Sequence, residues 1–186
     1  MLCYNCNRLE LFSLKKIYIV LTYTGSMLSR FIKFYTKNAY SHVSISLDGN
    51  LDSMYSFGRF HAYNPFWGGF VQESTKFGTF KRFKKAKTKI YSLEVSNEDY
   101  DIIKGIIEDF YSKRDVYRFN MIGLIGVMLN RRVKRENHYY CAEFVKYCFD
   151  NTSLEIDMPD IVKVEDFEKI KGTKEIYTGY LNEYKM

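Results

Sequence analysis

Residues 42–47 alternate strictly, with Val43, Ile45 and Leu47 on one side of an extended chain and His42, Ser44 and Ser46 on the other. A period of two over six residues fits a half-buried strand and excludes an amphipathic helix. Asp48-Gly49 follows as a strong turn signal, and residues 51–57 have the composition of a returning partner strand. A two-residue turn there sets Tyr55 across from His42. A loop one residue longer sets Ser56 there instead.

The other elements follow from the same reading of period and punctuation. Residues 17–24 are rich in β-branched and aromatic side chains and predict a strand, broken by Gly25-Ser26. Ser26 is placed to cap a helix in which Leu28, Phe31, Ile32 and Tyr35 recur at helical spacing, and Lys37-Asn38 ends it. Residues 58–69 read as a loop holding Asn64-Pro65, Gly68-Gly69 and the single tryptophan, Trp67. Residues 70–83 read as extended and 88–95 as a further strand. Ser96 caps the next helix, with Asp99 at the reciprocal position of a capping box, and Tyr100, Ile103, Ile106, Ile107 and Phe110 form its apolar stripe. Residues 119–130 are apolar on all sides, which suits a buried helix or a pocket wall. Helices over 141–149 and 160–170 and a last strand over 176–184 complete the chain.

With 186 residues and no internal repeat or linker, one domain over 16–186 is expected, preceded by an aperiodic extension over 1–15. The sum is an α+β fold, with helices packed on a mostly antiparallel sheet.

The net charge of +6 is concentrated in two runs, Lys81-Arg82-Phe83-Lys84-Lys85 and Arg131-Arg132-Val133-Lys134-Arg135. Such runs either keep a face solvated or attract an anionic partner such as a phospholipid surface, a cell-wall polymer or nucleic acid. No motif of sequence-specific nucleic-acid recognition accompanies them. Cys3 and Cys6 form one C-x-x-C without the second pair that a zinc site needs, so neither metal nor cofactor is expected. Cys141 and Cys148 are seven residues apart, two turns along one helical face and too far for a disulfide. Free thiols fit a reducing compartment. Lys15-Lys16 precedes only a short apolar run without a cleavage site, so a cytoplasmic protein is the expectation.

A cysteine nucleophile needs help, because a free thiol with a pKa of about 8.5 is only slightly ionised at neutral pH. An imidazole partner and the N-terminal end of a helix provide it. Cys141 meets the second condition: polar, aperiodic Asn137-His138-Tyr139-Tyr140 precedes it, and Phe144, Val145 and Cys148 then trace a buried helical stripe. A small buried residue is the ordinary alternative for any cysteine. His42, at the start of its strand on the serine face, is the first choice of base. His138, three residues from the cysteine, ranks second, and His61 lies in the loop. Arg59, Trp67 and Tyr140 are expected at the substrate, and Met54, Phe57 and Phe66 are further wall residues or plain core.

The stretch Thr36-Lys37-Asn38-Ala39-Tyr40-Ser41-His42-Val43-Ser44-Ile45 resembles the histidine strand of the permuted NlpC-like papain-fold proteins. Tyr140-Cys141-Ala142-Glu143-Phe144-Val145 resembles the start of their cysteine helix. The order also matches, since the histidine precedes the cysteine in permuted members, and the likeness spans roughly residues 17–170. The resemblance implies a circularly permuted papain-like fold. It implies thiol-dependent hydrolysis or acyl transfer on a peptide, amide, ester or acyl-lipid substrate, with Cys141 as nucleophile and His42 as base. Relatives often carry a carboxylate or other polar residue on the strand after the histidine to orient the imidazole. At that place this sequence offers Tyr55 or Ser56, neither of them a carboxylate, and Asp52 is too near the turn. An uncharged orienter implies modest activity, or a binding module on the same fold that docks anionic lipid or cell-wall polymer.

Overall fold

The chain is seen here as a computed structural model that describes residues 14–61 and 67–186. Strand β1 (Lys15–Tyr23) leads through Gly25, at φ +71°, into helix α1 (Met27–Thr36). Ser26 is its N-cap, its side chain accepting from the Ser29 N–H, and Lys37 closes it in the left-handed region with its N–H on the Lys33 carbonyl. Then come β2 (His42–Ser46), β3 (Met54–Arg59), β4 (Gly68–Glu73), the short helix α2 (Gly78–Arg82) and β5 (Lys87–Val95). Helix α3 (Asn97–Ser112), β6 (Arg118–Phe119), α4 (Met121–Met128), β7 (His138–Tyr139), α5 (Cys141–Asp150) and β8 (Thr173–Tyr180) complete the order, with a 3₁₀ helix at Val164–Lys169. Six strands form one sheet in the order β4-β3-β2-β1-β5-β8, and every neighbouring pair is antiparallel. The α+β expectation with an antiparallel sheet is met.

Strand β2 sits inside this sheet, and both of its faces are covered. Val43 and Ile45 are fully buried in the main core with Ile17, Ile19 and Leu21 of β1 and with Phe144, Val145 and Cys148 of α5. Phe144 ties α5 into an aromatic cluster, its ring 5.6 Å from Phe57, 5.2 Å from Phe70 and 5.2 Å from Phe110. A second core gathers Tyr18, Val20, Leu51, Met54, Phe80, Ala86, Ile90 and Leu181.

The hairpin after β2 departs from expectation. The ladder pairs Ile45 with Tyr55 and Ser46 with Met54, so the connection covers residues 47–53 rather than Asp48-Gly49 alone. Asp48 organises this longer loop. Its carboxylate accepts the N–H groups of Asp52 and Ser53, and Leu51 at φ 57° turns its side chain fully into the second core. Burying Leu51 outweighs placing it in the ladder. Neither Tyr55 nor Ser56 therefore stands opposite His42. Tyr55 stacks on Phe70 at 6.2 Å, and Ser56 is buried with its hydroxyl donating to the Val43 carbonyl at 2.6 Å.

Smaller corrections have similar causes. Residues 78–82 are helical rather than extended, with Phe80 filling the second core. Asp99 does not close a reciprocal box: its carboxylate accepts from the Ser96 hydroxyl and from both the N–H and hydroxyl of Ser153. Cys3, Cys6 and Phe66 lie outside the described residues, as does nearly all of the expected extension.

Phe144→Ala is expected to lower the unfolding free energy by about 3–5 kcal/mol, read from urea denaturation. A loss under about 1 kcal/mol would show that α5 does not anchor the core.

Candidate active site

Helix α5 begins at Cys141, and its N-cap, Tyr140, makes no side-chain capping bond. The first-turn N–H groups of α5 are thus not satisfied by a capping side chain, the condition under which a helix start can receive an anion. Cys141 is almost fully buried, yet it lines a cleft of about 80 Å³ together with His42, Glu73, Arg59 and Ser26. His42 comes from the first position of β2 and Glu73 from the last position of β4. Two different elements thus converge on the start of a third.

His42 Nε2 lies 2.9 Å from Glu73 Oε2, and both side chains are largely shielded from water. The Ser44 hydroxyl donates to the same carboxylate oxygen at 2.6 Å and sits 3.2 Å from His42 Nε2. Cys141 lines the same cleft and is among the groups that favour charge on the imidazole. With Nε2 taken up by Glu73, Nδ1 is the ring nitrogen available for a second partner.

Burial works against charge on both partners, and their mutual attraction outweighs it. For His42, burial pulls the pKa down, but the Glu73 carboxylate and the hydrogen bonds to Cys141 and Glu73 hold it well above the usual imidazole range. For Glu73, burial pushes the pKa up, but the His42 charge and the hydrogen bonds from His42 and Ser44 hold it below the usual carboxylate range. The pair is a charged imidazolium–carboxylate couple over the middle of the pH scale. A thiol, an imidazole and a carboxylate gathered in one cleft can hold the sulfur's proton on nitrogen while the ring stays oriented.

Cys141 and His42 are brought together as expected from the sequence, and Arg59 joins them in the cleft, its guanidinium donating to the Ser26 hydroxyl at 3.1 Å. Tyr140 is buried with its phenol on the Val162 carbonyl at 3.1 Å. Trp67 is 60% exposed, outside the cleft, with its indole edge-on to His61. His138 hydrogen-bonds the Glu136 carbonyl. Glu143, in the first turn of α5, has its pKa pushed up by burial although its carboxylate also takes a hydrogen bond from the Tyr140 backbone. Cys148 is fully buried in the core, and burial pushes its thiol pKa far up, which leaves it inert.

Glu73 and Ser44 are the members that sequence reasoning missed. The search for an orienter looked to the strand next to β2, whereas the carboxylate arrives from two strands away. The pairing of Met54 with Glu73 across β3 and β4 puts Glu73 on the face of Met54 and Ser56, and hence of His42 and Ser44. The run Phe70-Val71-Gln72-Glu73 held the signal, a single carboxylate closing a strand. Among the described residues no group of three or more His, Cys, Asp or Glu side chains is gathered to hold a metal ion. No family model matches the chain, and no curated protein matches it.

Linkage sets the pH behaviour of the pair. The raised His42 pKa stabilises the fold fully below about 6.5, and that contribution fades as pH climbs through the folded value; the lowered Glu73 pKa stabilises above about 4.5 and fades as pH falls. The stability gap between wild type and Glu73→Gln is therefore expected to be widest between these limits, up to about 3 kcal/mol, and to shrink on either side. Urea titrations across pH check this, and a gap that kept growing into alkaline pH would contradict the charged pair.

Proposed function

We propose that this protein is a thiol-dependent hydrolase or acyltransferase on a circularly permuted papain-like fold, acting on an amide or ester carbonyl. The observation that carries the reading is the gathering of Cys141, His42 and Glu73 in one cleft, with the sulfur at the start of a helix and the imidazole held by a buried carboxylate. The order of His42 before Cys141 and the sequence likeness of both segments support the permuted arrangement.

On this reading the proton given up by Cys141 already rests on the His42 imidazolium, and the sulfur attacks the substrate carbonyl carbon as the thiolate. The resulting oxyanion is received by N–H groups at the start of α5. The His42 imidazolium then returns its proton to the departing nitrogen or oxygen, leaving a thioester on Cys141. Water or another acceptor, deprotonated by His42, attacks the thioester and frees the thiol. Glu73 stays ionised throughout, holds the ring through Nε2 and stabilises the imidazolium, and Ser44 holds Glu73. These last two are positioning residues.

A binding module on the same fold is the competing reading. Its motive was the lack of a carboxylate beside the histidine, and Glu73 removes that motive.

Iodoacetamide should alkylate wild-type Cys141 at mildly acid pH at least about tenfold faster than it does in His42→Ala, with mass spectrometry of the modified peptide as the readout. Equal rates in the two proteins would favour the binding module. Cys141→Ala should abolish hydrolysis of an activated acyl ester while leaving the far-UV circular dichroism unchanged. Full hydrolysis by that variant would refute the nucleophile assignment.

A further inference from the structure

Helix α1 is amphipathic, but only part of its apolar side is buried. Ile32 and Ser29 are buried, and with Leu28 they wall the cleft at Cys141. Beside these residues Met27, Phe31, Phe34 and Tyr35 recur at i, i+4, i+7 and i+8, a single stripe along the helix. That stripe faces solvent: Met27 is 88% exposed and Phe34 77%. Its aromatic members are gathered, with Phe31 4.8 Å and Phe34 5.6 Å from Tyr35.

Helix α4 adjoins α1 and repeats the pattern. Its inward Leu124 lines the same cleft, whereas Ile122, Ile125 and Leu129, at i, i+3 and i+7, are exposed, Leu129 at 64%. Solvent-facing apolar stripes on two neighbouring helices form a patch of the kind that marks an interaction site.

Charge identifies what the patch fits. Neither helix contains an aspartate or glutamate, and residues 129–135 contain none. Arg30, Lys33 and Lys37 border the stripe on α1, and the exposed basic run 131–135 follows directly on α4, with Arg132 tied to Asp160. Apolar side chains within a basic border match an anionic bilayer, where the rings and aliphatic groups enter the headgroup boundary and the cations meet lipid phosphates and carboxylates. A second copy docked face to face would set the same basic border against itself. Among the described residues no helix is long and apolar enough to cross a membrane, so this mode is docking on the surface rather than spanning.

We propose that the α1–α4 face docks this protein on an anionic lipid surface, with the Cys141 cleft on the inner side of the same two helices. The inference rests on exposure and charge, and it stands whether or not the Cys141–His42 pair is catalytic.

The test is co-sedimentation of the full chain with large unilamellar vesicles of phosphatidylcholine alone or mixed with phosphatidylserine, at low and high salt. The variants are Met27→Glu/Phe34→Glu and, separately, Ile125→Glu/Leu129→Glu. Wild type should pellet with the mixed vesicles, less with phosphatidylcholine alone, and less at high salt. Each double variant should lose about tenfold or more in partition. Cys141 alkylation should stay at the wild-type rate in both, which shows that fold and cleft are intact. Two results would overturn the proposal: partition unchanged in both variants, or no wild-type binding to mixed vesicles at low salt. A concentration-dependent dimer in analytical ultracentrifugation that both variants abolish, without vesicle binding, would assign the face to a second copy instead.

Discussion

Burial of β2 on both faces is the constraint on which the rest of this molecule depends. Val43 and Ile45 face the core that α5 closes, and Ser44 and Ser46, also fully buried, face the other way. A buried hydroxyl must find partners. Ser46 finds the Ser53 and Asp48 carbonyls, which shapes the 47–53 loop, and Ser44 finds Glu73, which draws in the end of β4. The requirement that stabilises the strand therefore also delivers the carboxylate to His42.

The site inherits its rigidity from that arrangement. His42 sits on a strand held between β1 and β3, and Cys141 on a helix anchored by Phe144 among Phe57, Phe70 and Phe110. Groups that must meet within hydrogen-bonding distance are better held by packed elements than by loops. The charge pair on His42 and Glu73 is favourable because the two groups meet directly and Ser44 also donates to the carboxylate.

The outer surface obeys a different economy. Helices α1 and α4 give the cleft its apolar wall with one face and leave large apolar side chains in water with the other. The basic run 131–135 follows directly on α4, and the proposed lipid docking is what joins that charge to the exposed apolar side chains. The same two helices that shape the cleft thereby set which side of the protein would face a membrane.

Much of this was legible in the sequence. Alternation over 42–47 defined the histidine strand, the Ser26 and Ser96 caps marked two helix starts, and the break before Cys141 put that residue at the head of α5, because each signal depends on near neighbours alone. The α+β class followed from the mixture of periods. The Tyr55 and Ser56 expectation failed because register was taken from the turn dipeptide, whereas Asp48 capped a longer loop and Leu51 went to the core. Glu73 could not be read from local pattern, since its partner lies 31 residues away and one strand intervenes. The apolar side of α1 was visible as periodicity, but a period does not say which part of a broad apolar arc is buried. Sequence by itself determined the elements and the chemical identity of the sulfur and imidazole. Tertiary packing alone decided which carboxylate reaches the ring and which apolar face stays in water, because both depend on where distant segments compete for the same buried space.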